Sequence, residues 1–249
     1  VNILVCLKQV PDTEATIKTG SGTTIIEEAG LKFIINPYDE FAIEEALRIK
    51  EASGGTIKAI TMGPERAKEA LRTAVAMGVD DVLLLQSDQV QLDGLKSAQA
   101  LAQAVANEKF DVILLGKEAI DDGNMQVGPM LAEILNIPCV TVVTKLAIQA
   151  GSFTAEREGE TGTEVLTGPT PCVITCQKGL NEPRYPSIRG VMMAKKKEIP
   201  AVKAAAMDSR VTVTELSYPT SRKGGQIVGE GAAAVPELVR RLREEAKVI

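Results

Sequence analysis

The feature that most constrains this chain is the regular alternation, through residues 1–140, of short apolar runs with amphipathic segments of helical period. Residues 2–10 (NILVCLKQV) are apolar and β-branched enough for a buried strand, and 39–53 carry Ala42, Ile43, Ala46, Leu47 and Ile49 at mostly helical spacing. Residues 56–62 return to strand. Gly63 and Pro64 then punctuate, and Pro64 suits the first turn of a helix running to Met77. A strand over 81–86, a helix over 94–107, a strand over 111–116 and a helix over 125–135 follow. Such a succession predicts an α/β fold with a doubly wound parallel sheet.

After Pro138 the pattern changes. Residues 139–145, 152–158 and 164–167 read as strands separated by glycine-rich turns, and CVITC at 172–176 as a further apolar strand. The last stretch holds little that can form a core of its own: a proline-stiffened loop, a short strand near 211–216, the glycine-rich GGQIVGEG and a terminal helix over 235–246. The expected organisation is therefore an α/β domain over residues 1–178, including a small β-hairpin region, followed by a loop and arm over 179–249 that lies on a partner.

Several functions are excluded or disfavoured. With no histidine among 249 residues, neither a histidine triad nor a histidine-containing zinc site is available, so any chemistry should come from a bound cofactor. A formal charge of -5, with four Phe, three Tyr and no Trp, argues against a nucleic-acid partner. No apolar run reaches the roughly 18 residues of a membrane span. Because residues 1–10 already read as a strand, no signal peptide is expected and a cytoplasmic location is the default. Cys6, Cys139, Cys172 and Cys176 lie among apolar neighbours; in a strand, Cys172 and Cys176 would stand about 13 Å apart, too far for a disulfide or a shared metal. They read as buried structural thiols.

In open parallel sheets, ligands bind beyond the carboxyl ends of the strands near the switch point. Three segments fall there: 6–10, 62–64 and 116–128. The third, GKEAIDDGNMQVG, is the strongest candidate, since Gly123 gives backbone freedom and residues 123–127 lead into a helix start, where free amides favour an anion. Asp121 and Asp122 would repel a phosphate and are expected to cap the helix or face ribose hydroxyls. Neither GxxxxGK[ST] nor GxGxxG follows the first strand. NPYDEF at 36–41 precedes the first helix: Pro37 forces a turn, Asp39 is placed to cap, and Asn36 to bond backbone or an adenine edge.

The segment GLNEPRYPSIRGVMMAKKK, residues 179–197, is the least explained by folding alone. Pro183 and Pro186 remove amide donors and push their predecessors to extended geometry, so 180–189 should be an extended surface loop. Two readings stand: a surface connection whose Leu180 folds back onto the domain, or a docking loop that offers Leu180 to another protein with Arg184 and Arg189 supplying charge around it. Lys195 to Lys197 reads as a solvated face.

Taken together, VCLKQVPD (5–12), NPYDEFAIEEALRIKE (36–51), LLGKEAIDDGNMQVG (114–128) and the NEPRY segment closely resemble, in order, the electron transfer flavoprotein beta subunit family. The resemblance implies a Rossmann-like sheet of the adenine nucleotide alpha-hydrolase type, an alpha subunit as partner in a heterodimer, and either FAD or AMP as ligand. The family's nucleotide contacts fall on Cys6; on Asn36, Pro37, Tyr38 and Asp39; on Met62; and on Gly116, Lys117, Glu118, Ala119, Ile120, Asp121, Asp122, Gly123, Asn124, Met125, Gln126 and Val127. Its docking loop falls on Leu180, Asn181, Glu182, Pro183, Arg184 and Tyr185, facing a dehydrogenase or quinone-reductase-type acceptor. Members holding AMP commonly read Gln, Thr, Gly where this chain has Gln126, Val127 and Gly128, and valine offers phosphate no hydroxyl. The wording looks more like the electron-bifurcating branch, which implies a beta-bound FAD reduced by NADH, one electron passing to the alpha-subunit flavin and one to a low-potential acceptor such as ferredoxin. The competing readings are a structural AMP-binding beta subunit, and a stand-alone nucleotide-binding regulatory protein of the universal-stress type.

Overall fold

The computed structural model describes residues 1–20, 22–87, 93–221 and 224–249. It divides into two compact units, one of Val1–Lys18 with Glu27–Thr214 and the other of Thr19–Ile26 with Glu215–Ile249. The first unit thus runs past the boundary expected at residue 178 and takes in the whole 179–214 stretch.

In chain order the first unit contains β1 (Asn2–Cys6), β2 (Gln9–Pro11), β3 (Phe33–Ile35), α1 (Pro37–Ser53), β4 (Thr56–Gly63), a short 3-10 turn at Glu65–Ala67 and α2 (Lys68–Met77). Then come β5 (Asp81–Gln86), α3 (Gly94–Val105), β6 (Val112–Gly116), α4 (Val127–Leu135), β7 (Cys139–Gln149), β8 (Ser152–Gly159), β9 (Gly162–Pro169), β10 (Cys172–Cys176), α5 (Ile188–Lys196) and β11 (Ala201–Lys203). The sheet runs β11-β5-β4-β1-β6-β10-β7-β8-β9. Its strands are parallel except at β7-β8-β9, which pair antiparallel.

The order reverses at β1. The chain steps outward through β4 and β5, then returns to lay β6 on the other flank of β1. The reversal sends successive helices to opposite faces. α1 and α2 bury Ala42, Ile43, Ala46, Leu71 and Ala74 with Ile3 and Val5, whereas α3 and α4 bury Ala98, Leu101, Leu131 and Ala132 with Leu4 and Cys6. Burial on both faces explains why β1, β6 and β10 read as nearly continuous apolar runs. All four cysteines are free, three of them buried, and burial pushes each thiol pKa up.

Three expectations need correction, and one strand was not anticipated. The single strand over 2–10 is two: β1 ends at Cys6, and β2 leaves the main sheet to pair antiparallel with β3. No strand forms over 211–216; the Val211 amide donates to the Asp93 carboxylate at 3.2 Å instead of to a neighbouring strand. A strand does form at β11, three residues pairing parallel with β5, too short to show a period. The extended loop ends at Ser187, not 189. Ser187 caps α5 by accepting the Gly190 amide at 3.0 Å, and Gly190 lets that helix close on α2, where a Cβ would meet the Ala76 carbonyl oxygen at 2.2 Å.

The second unit contains a 3-10 turn at Ala232–Ala234 and α6 (Val235–Glu244). Leu216 donates to the Thr23 carbonyl at 2.7 Å, and Arg240 is ringed by Glu237, Glu244 and Glu245. Val235, Leu238 and Val239 of α6 remain exposed, so this unit buries almost no apolar surface of its own.

Candidate functional site

The ends of β1, β4 and β6 open into a cleft at the switch point. It is concave, with a mouth open to solvent, as small-molecule sites commonly are. Its walls include Cys6, Asn36, Asp39 and Met62, and most of the 116–127 segment: Gly116, Lys117, Glu118, Ala119, Asp122, Asn124, Met125, Gln126 and Val127. Pro37, Tyr38, Ile120, Asp121 and Gly123 belong to the same segments without lining it.

Asp39 does not cap α1. It turns inward, 5% exposed, and its carboxylate accepts the Lys8 amide at 2.7 Å and the Gly116 amide at 2.8 Å, tying the end of β1 to the end of β6. Burial pushes its pKa up to about 7, against those two amide donors, which favour the ionised form. Asn36 occupies the N-cap position but gives no side-chain cap bond. Its amide group donates to the Glu118 carbonyl at 2.8 Å and accepts from the Ile120 amide at 3.1 Å, so of its two expected uses the backbone one is what the fold employs. The start of α1 thereby clasps the loop after β6.

Asp121 and Asp122 do not cap α4 either. The Lys8 ammonium bridges them at 2.8 and 2.9 Å. One lysine from just past the end of β1 thus offsets half the charge of this carboxylate pair. Lys8 lies within the candidate segment 6–10 but is not singled out by the sequence; its place inside VCLKQVPD, just past a strand end, is the available signal.

Gly123, at φ 61°, and Met125, at φ 55°, take left-handed conformations that turn the chain into α4. A Cβ at Gly123 would meet only Glu118 Oε2, at 4.0 Å, so this glycine is needed for its dihedral and not for room. No side chain caps α4, whose N-cap residue is Gln126. Pro129 has no amide, so the first-turn donors are those of Val127 and Gly128. Gly128 is held to glycine by packing: a Cβ would stand 2.5 Å from Thr175 Cγ2. The Thr175 hydroxyl accepts the Val142 amide at 2.9 Å and so cannot rotate away freely.

The cleft's cations are all engaged among the described residues. Lys8 bridges the two aspartates, and Lys117 pairs with Glu118 at 3.2 Å and lies 4.9 Å from the Tyr38 ring centroid. Arg66 pairs with Glu28 at 2.7 Å, donates to Gln9 Oε1 at 2.6 Å and covers the Phe33 ring at 3.7 Å. What the cleft offers an anion is therefore the amide end of α4 more than free positive charge. The buried Cys6 thiol, whose pKa is raised by burial and then by Asp39, stays neutral. No cluster of His, Cys, Asp or Glu suited to a metal occurs among the described residues.

The 180–185 segment lies apart from the cleft's walls. Leu180 is half-buried and packs against the core, as the folding-back reading expected. Arg184 does not present its charge outward: it pairs with Glu44 and Glu51 of α1. The exposed apolar groups are Tyr185, 94% exposed, and Ile188, 85% exposed, with Met192 and Met193 beyond them. Arg189 is exposed on α5. No helix is long and apolar enough to cross a membrane among the described residues.

A model of the electron transfer flavoprotein domain family matches residues 23–207. The chain is similar to the electron transfer flavoprotein subunit beta of Bacillus subtilis (strain 168), at 42% identity with both chains covered in full. It is likewise similar to the protein of that name from Syntrophomonas wolfei, at 41% identity over 100% of this chain and 98% of the other. The mitochondrial electron transfer flavoprotein subunit beta of Oryza sativa subsp. indica is 37% identical, again over the full length of both.

Proposed function

We propose that this chain, which belongs to the electron transfer flavoprotein family as a beta subunit, holds FAD in the cleft beyond β1, β4 and β6 and works as the NADH-accepting half of a bifurcating heterodimer. The observation that carries the choice of ligand is the charge balance at α4. Two backbone amides, of Val127 and Gly128, are what the start of α4 would offer a phosphate, Val127 adds no hydroxyl, and Lys8, Arg66 and Lys117 are already paired. A phosphate monoester such as AMP carries about -1.5 to -2 at neutral pH. The diphosphate of FAD carries a similar total spread over two groups of one charge each, so the amide end of α4 would face a single charge at a time, which suits a site of amides without spare cations.

FAD held by the residues of this cleft would supply two-electron chemistry toward NADH and one-electron chemistry toward the alpha-subunit flavin and a low-potential acceptor such as ferredoxin. The chain's own residues bind and orient. The Asp39 strap and the Asn36 clasp fix the strand ends and the 116–127 loop, and Lys8 holds the two aspartates and offsets part of the charge that would repel phosphate. The chain has no histidine and its buried Cys6 is neutral, so its residues are assigned binding and orientation rather than proton transfer. Residues 180–185 and α5 present Tyr185, Ile188 and Met192 as the docking face for a dehydrogenase or quinone-reductase-type acceptor. The second unit, with its uncovered α6, serves as the arm that binds the alpha subunit.

The test is a count on the purified heterodimer. Two FAD per pair, no AMP on extraction, and anaerobic bleaching of flavin by NADH alone are expected; one FAD with one AMP per pair would overturn the proposal.

A further inference from the structure

Residues 181–187 carry two prolines and form no helix or strand, so nothing in their own backbone fixes their path. They are held instead by carboxylates. Asn181, 8% exposed, donates through its side-chain amide to Glu45 Oε2 at 2.9 Å and to the Phe41 carbonyl at 3.0 Å. Arg184 donates from its backbone amide and from Nε to Glu44 Oε2, at 3.1 and 2.8 Å, and from Nη2 to Glu44 Oε1 at 3.0 Å. Nη1 reaches Glu51 at 2.5 Å.

Glu44 is the unusual member. Its side chain is 4% exposed and sits on a helix whose neighbouring positions are core. Burial alone would raise its pKa, and the hydrogen bonds from the Arg184 guanidinium and amide outweigh that and hold it ionised. A buried carboxylate is retained at such a place only with a full set of donors, and Arg184 provides three of them together with Arg48 at 3.0 Å. The same helix clasps the cleft through Asn36 and Asp39 at its start. α1 therefore fixes the 181–184 backbone and the cleft wall in one rigid piece.

We infer that Glu44, with Glu45, is a positioning residue for docking: a buried carboxylate clamp that orders residues 181–184 in advance, so that Tyr185 and Ile188 meet a partner already placed. This rests on the reading of 180–185 and α5 as the docking face. A loop ordered before encounter loses less conformational freedom on binding, so the clamp acts on affinity and not on the redox step.

The test uses the cofactor-loaded heterodimer with Glu44→Gln, Arg184→Gln and the pair together, the pair replacing the ionic clamp by a neutral amide one. Hydrogen exchange is read across residues 184–188 without partner, and electron transfer is read with the flavin dehydrogenase that the wild-type heterodimer serves. Each single variant should speed exchange in that segment and raise KM for the dehydrogenase about ten- to a hundredfold, the size of a lost charge-assisted bond, with kcat and bound flavin unchanged. The pair should recover part of both. Unchanged exchange overturns the clamp itself. Faster exchange with unchanged KM overturns the docking reading while leaving the clamp's geometry intact, and loss of flavin or of kcat would make Glu44 an ordinary fold residue. Arg184→Gln, whose side chain is 36% exposed, decides the matter if Glu44→Gln does not fold.

Discussion

Replacing Gly128 by alanine probes whether α4 is seated where the cleft needs it. The new Cβ would lie 2.5 Å from Thr175 Cγ2 and 3.5 Å from both Leu115 methyls. Carbon atoms in contact prefer about 3.5–4.0 Å, so helix and strand must part by about 1 Å. Thr175 cannot yield by rotation without surrendering the 2.9 Å bond from the Val142 amide. Overpacking of this kind costs about 1–3 kcal/mol, and in the first turn of a helix alanine's better propensity returns only a fraction of about 1 kcal/mol, so a loss of about 1–2 kcal/mol is the central expectation. In a chain of this size that is about 2–8 °C in Tm. Because the displaced amides are those proposed to hold phosphate, FAD retention on gel filtration of the heterodimer should fall as well. Thr175→Ser removes the obstructing methyl and keeps the hydroxyl, so Gly128→Ala/Thr175→Ser should regain both stability and flavin. If Gly128→Ala is neutral, or the serine gives no recovery, α4 does not rest on Thr175 and the reasoning fails.

Lys8→Ala leaves Asp121 and Asp122 uncompensated at the mouth of the phosphate site; flavin should dissociate about tenfold more readily at low salt, less so at high salt, and Asp121→Asn/Asp122→Asn in the same background should restore retention. Asp39 has a folded pKa of about 7 against an ordinary 3.8, so the folded state keeps a proton that the unfolded state has lost: its contribution is greatest at acid pH and declines as pH rises from about 4 to about 7, by at most about 1.4 kcal/mol per pH unit. Denaturation of wild type and Asp39→Asn across that range should show the decline in wild type only; parallel curves would place the Asp39 titration elsewhere. Deleting residues 215–249 should leave the melting of the first unit nearly unchanged while weakening association with the alpha subunit, whereas unfolding of the isolated truncated chain would refute the arm.

How far the sequence could be read depended on the range of the interaction. Runs such as VILLG and CVITC announced parallel strands because both faces are covered, and the 116–128 loop announced itself through Gly123 and the helix that follows. Asp39 was taken for a helix cap, an ordinary local role, because its true partners, the amides of Lys8 and Gly116, are 31 and 77 residues away. Of the two uses expected of Asp121 and Asp122, the helix cap is not made, since the lysine that answers them is 113 and 114 residues distant. Arg184 was read as outward charge. Here the sequence did hold a hint: Glu44 and Glu45 stand between Ile43 and Ala46 on the stripe that α1 buries, and buried acids demand partners from elsewhere in the chain.

The central claim, that the amide end of α4 receives the singly charged phosphates of a dinucleotide, is tested most directly by phosphorus NMR of the intact heterodimer across pH 5–8. A monoester titrates in that range, with a second pKa near 6, whereas a diphosphate diester does not. The account predicts only pH-independent diphosphate signals, integrating to two FAD per heterodimer. A monoester resonance at one per heterodimer would contradict it and make this subunit a holder of AMP.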